Sequence, residues 1–349
     1  MTTLDQNQPI SKENPSDGFS LLPDWGLIFV EGPDAANFLQ NQLTNSVLGL
    51  KRTLSPNIAQ GYAEVRLAGY CSPKGRLLAS AWISLAPSSE SSDDRFALFI
   101  SKDIAQSISK RLSMYVLRSK VKVTDVSNEW IVTSHHCPVD QFNTLSLDQT
   151  TINLRLPDVH ANGQNYARVL IAQNSGENSA RLNEEIALAW GDLEVLSAIP
   201  RIVLATQEQF VPQMINFESV AGIDFKKGCY PGQEIVARSQ YRGAIKRRLA
   251  LAHAAGTPDA LEQFKPGVEI FHSEDISQPA GMVVLSSLSS TQPNRIDLQI
   301  ECKLEALEHG DVQLSNQMVS KSREIAKQRI QSRQPRAYML VEAWLMGVP

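Results

Sequence analysis

Cysteine is scarce in this chain, and the few cysteines are not paired by spacing. The 349 residues include four, Cys71, Cys137, Cys229 and Cys302, with no Cys-x-x-Cys among them. That excludes a zinc ribbon, a sequence-local iron–sulfur ligand set and a disulfide-built scaffold, and it fits a reducing cytoplasm. No apolar run approaches the roughly 18–20 residues that cross a bilayer. The opening residues, Met1 to Gln8, are polar and lack the apolar core of a secretory leader. The expectation is a cytoplasmic protein with no membrane partner. An excess of positive charge is missing too. Net charge is −4, so any nucleic-acid contact needs a local basic patch. No internal repeat is visible. What is present is an ordinary globular balance, 42% hydrophobic and 20% charged, with length for two or three domains.

Residues 1–18 are polar with two prolines and no periodicity, the pattern of a disordered tail. Short apolar runs bounded by Gly, Pro and Ser predict strands at 26–32, 61–71, 77–85, 96–100, 121–126, 130–133, 153–156 and 167–171. Ser72-Pro73-Lys74-Gly75 marks a hairpin turn. Asp34 is placed to cap a helix from Ala35 to Leu43. Residues 103–114 have helical spacing, with Ile104, Ile108 and Leu112 on one face. Residues 180–196 do as well, with Leu182, Ile186, Ala189 and Leu193 aligned and Trp190 flanking them. After Arg248 the texture changes to short strands at 249–253, 267–271, 281–285, 295–300 and 337–342, the signature of a small antiparallel barrel. Between the last two lies 319–336, with six basic residues and one acidic. Such runs are commonly solvated surface, and RNA contact is the alternative. His135 and His136 are neighbours on a strand and point to opposite faces, with no third ligand nearby in sequence, so no metal site is expected.

The densest chemistry lies in Phe225-Lys226-Lys227-Gly228-Cys229-Tyr230-Pro231-Gly232-Gln233-Glu234. A thiol between lysines, ahead of a helix that starts near Pro231, should carry more thiolate at neutral pH. Gly228 and Gly232 let another group approach the backbone. The plainer alternative is a buried thiol in a glycine-shaped turn. From Lys226 to Arg248 there are seven basic residues and one acidic.

Lys-Gly-Cys-Tyr-x-Gly-Gln-Glu, with Pro231 at x, resembles the hallmark of the YgfZ family, folate-binding proteins similar in fold to the T protein of the glycine cleavage system. Tyr70 to Arg76, Phe210-Val211-Pro212-Gln213 and Phe225 to Arg248 extend the likeness, which runs with gaps from about Trp25 into the barrel. The resemblance implies an α+β fold: two α+β domains and a C-terminal antiparallel β-barrel, arranged as a three-domain ring. The corresponding divisions are a tail 1–18, domains 19–128 and 129–242, and a barrel 243–349. It also implies a bound tetrahydrofolate or derivative and a part in maintaining iron–sulfur enzymes, including tRNA-thiolating radical enzymes, with tRNA a further possible partner and a monomeric state expected. By the same resemblance Trp25 and Trp190 are the folate-binding tryptophans. Cys229 is the motif cysteine, a nucleophile, cluster ligand or redox group, with Lys226 and Lys227 beside it. Cys71, Gly228, Tyr230, Gly232, Gln233, Glu234, Arg238 and Arg242 are secondary candidates. Where the T protein has paired aspartates, this chain has Ala79 and Ser80, which counts against glycine-cleavage aminomethyl transfer. Two other readings stay open: a folate-dependent aminomethyl or methyl transferase acting on tRNA or protein, and a non-catalytic scaffold with a vestigial folate site.

Overall fold

The computed structural model describes residues 18–87, 94–144, 147, 150–176, 181–308, 311–314 and 317–321. Residues 1–17 of the expected tail, the 337–342 strand and most of the basic run lie outside them. The fold is a mixed α/β one built on three systems of strands, antiparallel except for the pairing of Ile58–Ala59 with Ile152–Ala161.

The first sheet has the order Val65–Cys71, Leu77–Pro87, Asp94–Ser101, Trp25–Glu31, Lys122–Asp125. Every residue of Val65–Cys71 is buried, Arg66 included, so this strand is covered on both faces. Helix Lys102–Met114 packs beside the sheet and buries Ile104, Ile108 and Leu112, the stripe read from its spacing. Two expected bounds shift. The helix at 35 ends at Gln40, and Gly61–Glu64 is a short helical turn leading into its strand.

The second sheet pairs Trp130–Pro138 with Gln164–Asn174 and then Ile152–Ala161. Two short strands from earlier in the chain, Phe19–Leu21 and Ile58–Ala59, form its edges. The chain therefore stitches the two sheets together before the second is complete.

Helix Glu184–Leu196 follows. Asn183 caps it, its side-chain oxygen accepting from Ile186 N at 3.2 Å. Its buried residues are Trp190, Asp192, Leu193 and Val195, while Leu182 of the expected stripe precedes the helix and is exposed. The helix lies between the second sheet and the C-terminal strands, so more than one of its sides is covered. Gln299 Nε2 donates to the carbonyls of Val195 at 2.9 Å and Glu194 at 3.1 Å, tying the C-terminal strands to the helix end.

The C-terminal system joins Arg247–Ala255, Arg295–Lys303, Asp275–Leu288, Glu269–His272, Val312–Leu314 and Gln317–Lys321 in that order. The last strand meets the first across two residue pairs, Ala252 with Lys321 and His253 with Ser320. The start of the basic run is therefore strand: Val319 to Lys321 lie in the last strand, and Ser320 and Lys321 form the seam.

Candidate functional site

Two places collect the residues singled out by sequence. The first is a cleft where Trp25, at the start of its strand, meets Trp190 on its helix. Trp82, Ser80, Phe99 and Leu156 join them, with Arg168, Glu194, Ser197 and Arg201. The space among these side chains, counted together with the solvent it opens into, is about 370 Å³. Four aromatic side chains share its walls with two arginines, a glutamate and two serines. Arg201 Nε donates to Glu194 Oε1 at 2.6 Å, and Nη2 to Oε2 at 3.3 Å. Its guanidinium carbon lies 4.9 Å from the centre of the Trp25 ring. Burial works against the Arg201 cation, but Glu194 beside it overrides that and raises the pKa above its ordinary value.

Arg168 is different. It sits mid-strand between Ala167 and Val169, 1% exposed, and donates from Nη2 to Pro157 O at 3.2 Å. Its Nε is buried with no partner, and so is Nε1 of Trp190. The Arg168 guanidinium lies 5.8 Å from the Trp190 ring centre. Ser80, one of the two residues replacing the T-protein aspartates, faces the same cleft, and its Oγ accepts from Ile202 N at 2.9 Å.

The second place is the cysteine motif, and none of its residues lines the cleft. Thr44 fixes the preceding turn: its Oγ1 donates to Gly222 O at 2.6 Å and accepts from Gly69 N at 2.7 Å. Helix Gln233–Tyr241 starts after Gly232, which caps it in a left-handed conformation. Pro231 therefore precedes the cap and is not the first helical residue; the chain turns at Gly232, where only glycine is comfortable. Cys229 is exposed. Lys226 is exposed, its N–H donating to Asp224 Oδ1 at 2.8 Å. Lys227 folds inward. Its ammonium donates to the carbonyls of Gln40 and Leu43 at the end of the first helix, and lies 4.8 Å from the Tyr230 ring centre. Burial pulls its pKa down to about 8, against the opposing charges of Asp224 and Cys229. Tyr230 is buried and held protonated by that burial, with Cys71 adding to it.

Of the secondary candidates, Cys71 is buried, and burial pushes its thiol up to about 12. Gly228, Glu234, Arg238 and Arg242 are exposed, while Gly232 and Gln233 are half-buried. Among the seven basic residues, Arg247 pairs with Glu301, Arg248 with Glu218, and Lys227 serves the backbone, which leaves Lys226, Arg238, Arg242 and Lys246 as the exposed set. His135 Nδ1 bonds Gly18 O at 2.9 Å. Among the described residues no cluster of three His, Cys, Asp or Glu could hold a metal ion, and no helix is long and apolar enough to cross a membrane.

Sequence reading missed Trp82, Arg168, Glu194 and Arg201. Trp82 was hidden in an apolar strand. Arg168 carried a signal: a lone guanidinium inside the apolar stretch from Ala167 to Ala172.

No family model matches the chain. It is 30% identical to the tRNA-modifying protein YgfZ of Edwardsiella ictaluri over 293 residues, covering 76% of this chain and 81% of that one. It is 28% identical over 240 residues to the mitochondrial iron–sulfur cluster assembly factor IBA57 homolog of Mycosarcoma maydis, spanning 58% of that protein's length. Its fold is similar to the crystal structure of glycine cleavage system aminomethyltransferase T from Bartonella henselae, with a TM-score of 0.58 at 16% identity, over 88% of this chain and 86% of that one.

Proposed function

The chain belongs to the YgfZ family, and from that premise we propose that it is a tetrahydrofolate-binding accessory protein that supports the assembly or repair of iron–sulfur enzymes, tRNA-thiolating enzymes among them. Its relatives' names support the second half of the reading, one as a tRNA-modifying protein and the other as an iron–sulfur cluster assembly factor. The observation that carries the first half is the cleft where Trp25 and Trp190 meet. A pteridine ring is planar and bears carbonyl and ring-nitrogen acceptors. The cleft offers aromatic walls and two buried donors without partners, Arg168 Nε and Trp190 Nε1. The residues therefore fit the group. Trp25, Trp82 and Trp190 would hold the ring, and Arg168 would meet its polar edge. When bound, tetrahydrofolate supplies one-carbon units.

Cys229 plays a separate part. It is exposed, outside the cleft and next to an inward-turned lysine, the placement of a thiol offered to another protein. Transfer to tRNA draws less support, because three of the seven basic residues from Lys226 to Arg248 are engaged within the chain.

The test is an anaerobic titration of the protein with tetrahydrofolate, followed by tryptophan quenching corrected for folate absorption. Saturable micromolar binding, weakened in Trp190→Ala, is expected. Absence of saturable binding to the wild type removes folate from the reading and leaves the scaffold alternative.

A further inference from the structure

Arg168 is a buried cation without a counter-ion. The two carboxylates whose charge favours it are Glu194 and Asp158. Each is committed elsewhere: Glu194 to Arg201, and Asp158 to Arg155 at 2.9 and 3.0 Å. Among the described residues Arg168 makes no ion pair, and its one hydrogen bond goes to Pro157 O. Burial pulls its pKa down to about 10, so it is still a cation at neutral pH. Removing such a group from water without a partner is costly, and buried donors are rarely left unmade. Here two of them, Arg168 Nε and Trp190 Nε1, belong to side chains that line one cleft, with the guanidinium 5.8 Å from the indole ring centre. Arg201, the other arginine in the cleft, bonds both oxygens of Glu194 and Ser101 Oγ at 3.1 Å. Arg168 therefore has the spare donor capacity, and both groups at this subsite donate. A ligand group that also donates would set donor against donor.

Resting on the folate reading above, we propose that Arg168 and Trp190 together read an oxygen acceptor at position 4 of the bound pteridine, so that the cleft accepts 4-oxo and rejects 4-amino rings. A flexible carboxylate tail is a poorer occupant of this wall, because the subsite adjoins the aromatic faces that would hold the ring. Arg168 is thus a specificity-determining residue.

The test compares tetrahydrofolate with tetrahydroaminopterin, in which the 4-oxo/N3–H edge is replaced by 4-amino and an unprotonated N3, by anaerobic isothermal titration calorimetry on the full chain. Wild type should bind the 4-amino compound about 100-fold more weakly, the scale seen when buried polar partners are left unpaired. In Arg168→Gln tetrahydrofolate should weaken at least about tenfold and the gap between the two ligands should close to within about threefold. Trp190→Phe keeps an aromatic face but removes the N–H together with one ring of the indole. It should narrow the gap as well, and it covers the case in which Arg168→Gln fails to fold. Equal binding of both ligands to wild type overturns the inference and leaves folate binding intact. Failure of both ligands to bind overturns the folate reading and this inference with it.

Discussion

Gly232 rests directly on the turn that contains Gly75. A Cβ added to Gly232 would lie 2.4 Å from Ser72 O and 2.6 Å from Gly75 Cα. A Cβ on Gly75 would lie 2.7 Å from Ile235 Cβ. Both glycines are left-handed, at φ +78° and +69°. Two sequence signatures 150 residues apart, roughly, thus form one joint. Gly232→Ala adds backbone strain and a clash with backbone atoms that cannot swing away, and should cost about 2 kcal/mol or more. Gly228→Ala, four residues earlier in the same motif, meets nothing within 4 Å and should stay within about 0.5 kcal/mol of wild type. Chemical denaturation of both variants checks this. Equal losses would show that the joint is not what holds the motif.

The Arg201–Glu194 pair underlies the tryptophan cleft. Its two side chains are only 12% and 13% exposed. Arg201→Leu strands a carboxylate there and should cost about 3–5 kcal/mol. The double variant Arg201→Leu, Glu194→Leu should recover a large part of that loss, since no unpaired charge remains. Denaturation of the two single variants and the double one gives the coupling directly. Simple addition of the two single losses would argue against the pair.

Lys227 should titrate early. Its amine has a folded pKa of about 8 against an ordinary 10.5. Amine acylation followed by peptide mapping should show Lys227 reacting with an inflection near pH 8. The linkage sign follows. Between these two values the unfolded chain holds more protons than the folded one, so stability should rise with pH across that window relative to Lys227→Met.

His136 acts with the same sign at the acid end of the pH scale. Burial holds its pKa down to about 4, with His135 and Arg168 adding to the effect. Its Nδ1 is buried without a partner. The unfolded imidazole protonates near its ordinary 6.5. Stability is therefore present above that value and is lost as pH falls from 6.5 toward 4. His136→Gln should flatten this dependence. Between pH 7.5 and pH 5 the wild type should lose on the order of 1–2 kcal/mol more than the variant in urea melts.

How far these features could be read in advance depends on whether they are local. The helix Lys102–Met114 and the hairpin around Gly75 follow from residues near one another in sequence, and both were legible. The bend at Gly232 was not, because the segment that forbids a Cβ there comes from the distant Ser72 turn. The buried side of Glu184–Leu196 was misjudged for a related reason: it packs against two layers, and single-stripe periodicity describes one. Trp25 and Trp190 were placed by family likeness, and the structure brings them into one cleft. Arg168 and Glu194 needed the fold, since only pairing between elements shows which charges already have partners.

Cys229 and Cys71 share a neighbourhood around Tyr230 but not a chemistry. The charge of each is felt by the motif, Cys229 at Lys227 and Cys71 at Tyr230. Yet Cys71 is 1% exposed, and with its pKa pushed to about 12 it is almost wholly thiol at neutral pH. Chemistry that needs two thiolates is therefore not available to the closed protein. Reaching Cys71 would require the joint between Gly75 and Gly232 to open. Native alkylation with iodoacetamide at pH 7.5 should label Cys229 first, Cys137 slowly, and Cys71 and Cys302 only after denaturation. In cells lacking the native protein, Cys229→Ala should fail to restore iron–sulfur enzyme activity while folding normally, and Cys71→Ala should restore it. Rapid labelling of Cys71 in the folded protein, or loss of function in both variants alike, would mean that the two sulfurs act as a pair and that the joint opens in use.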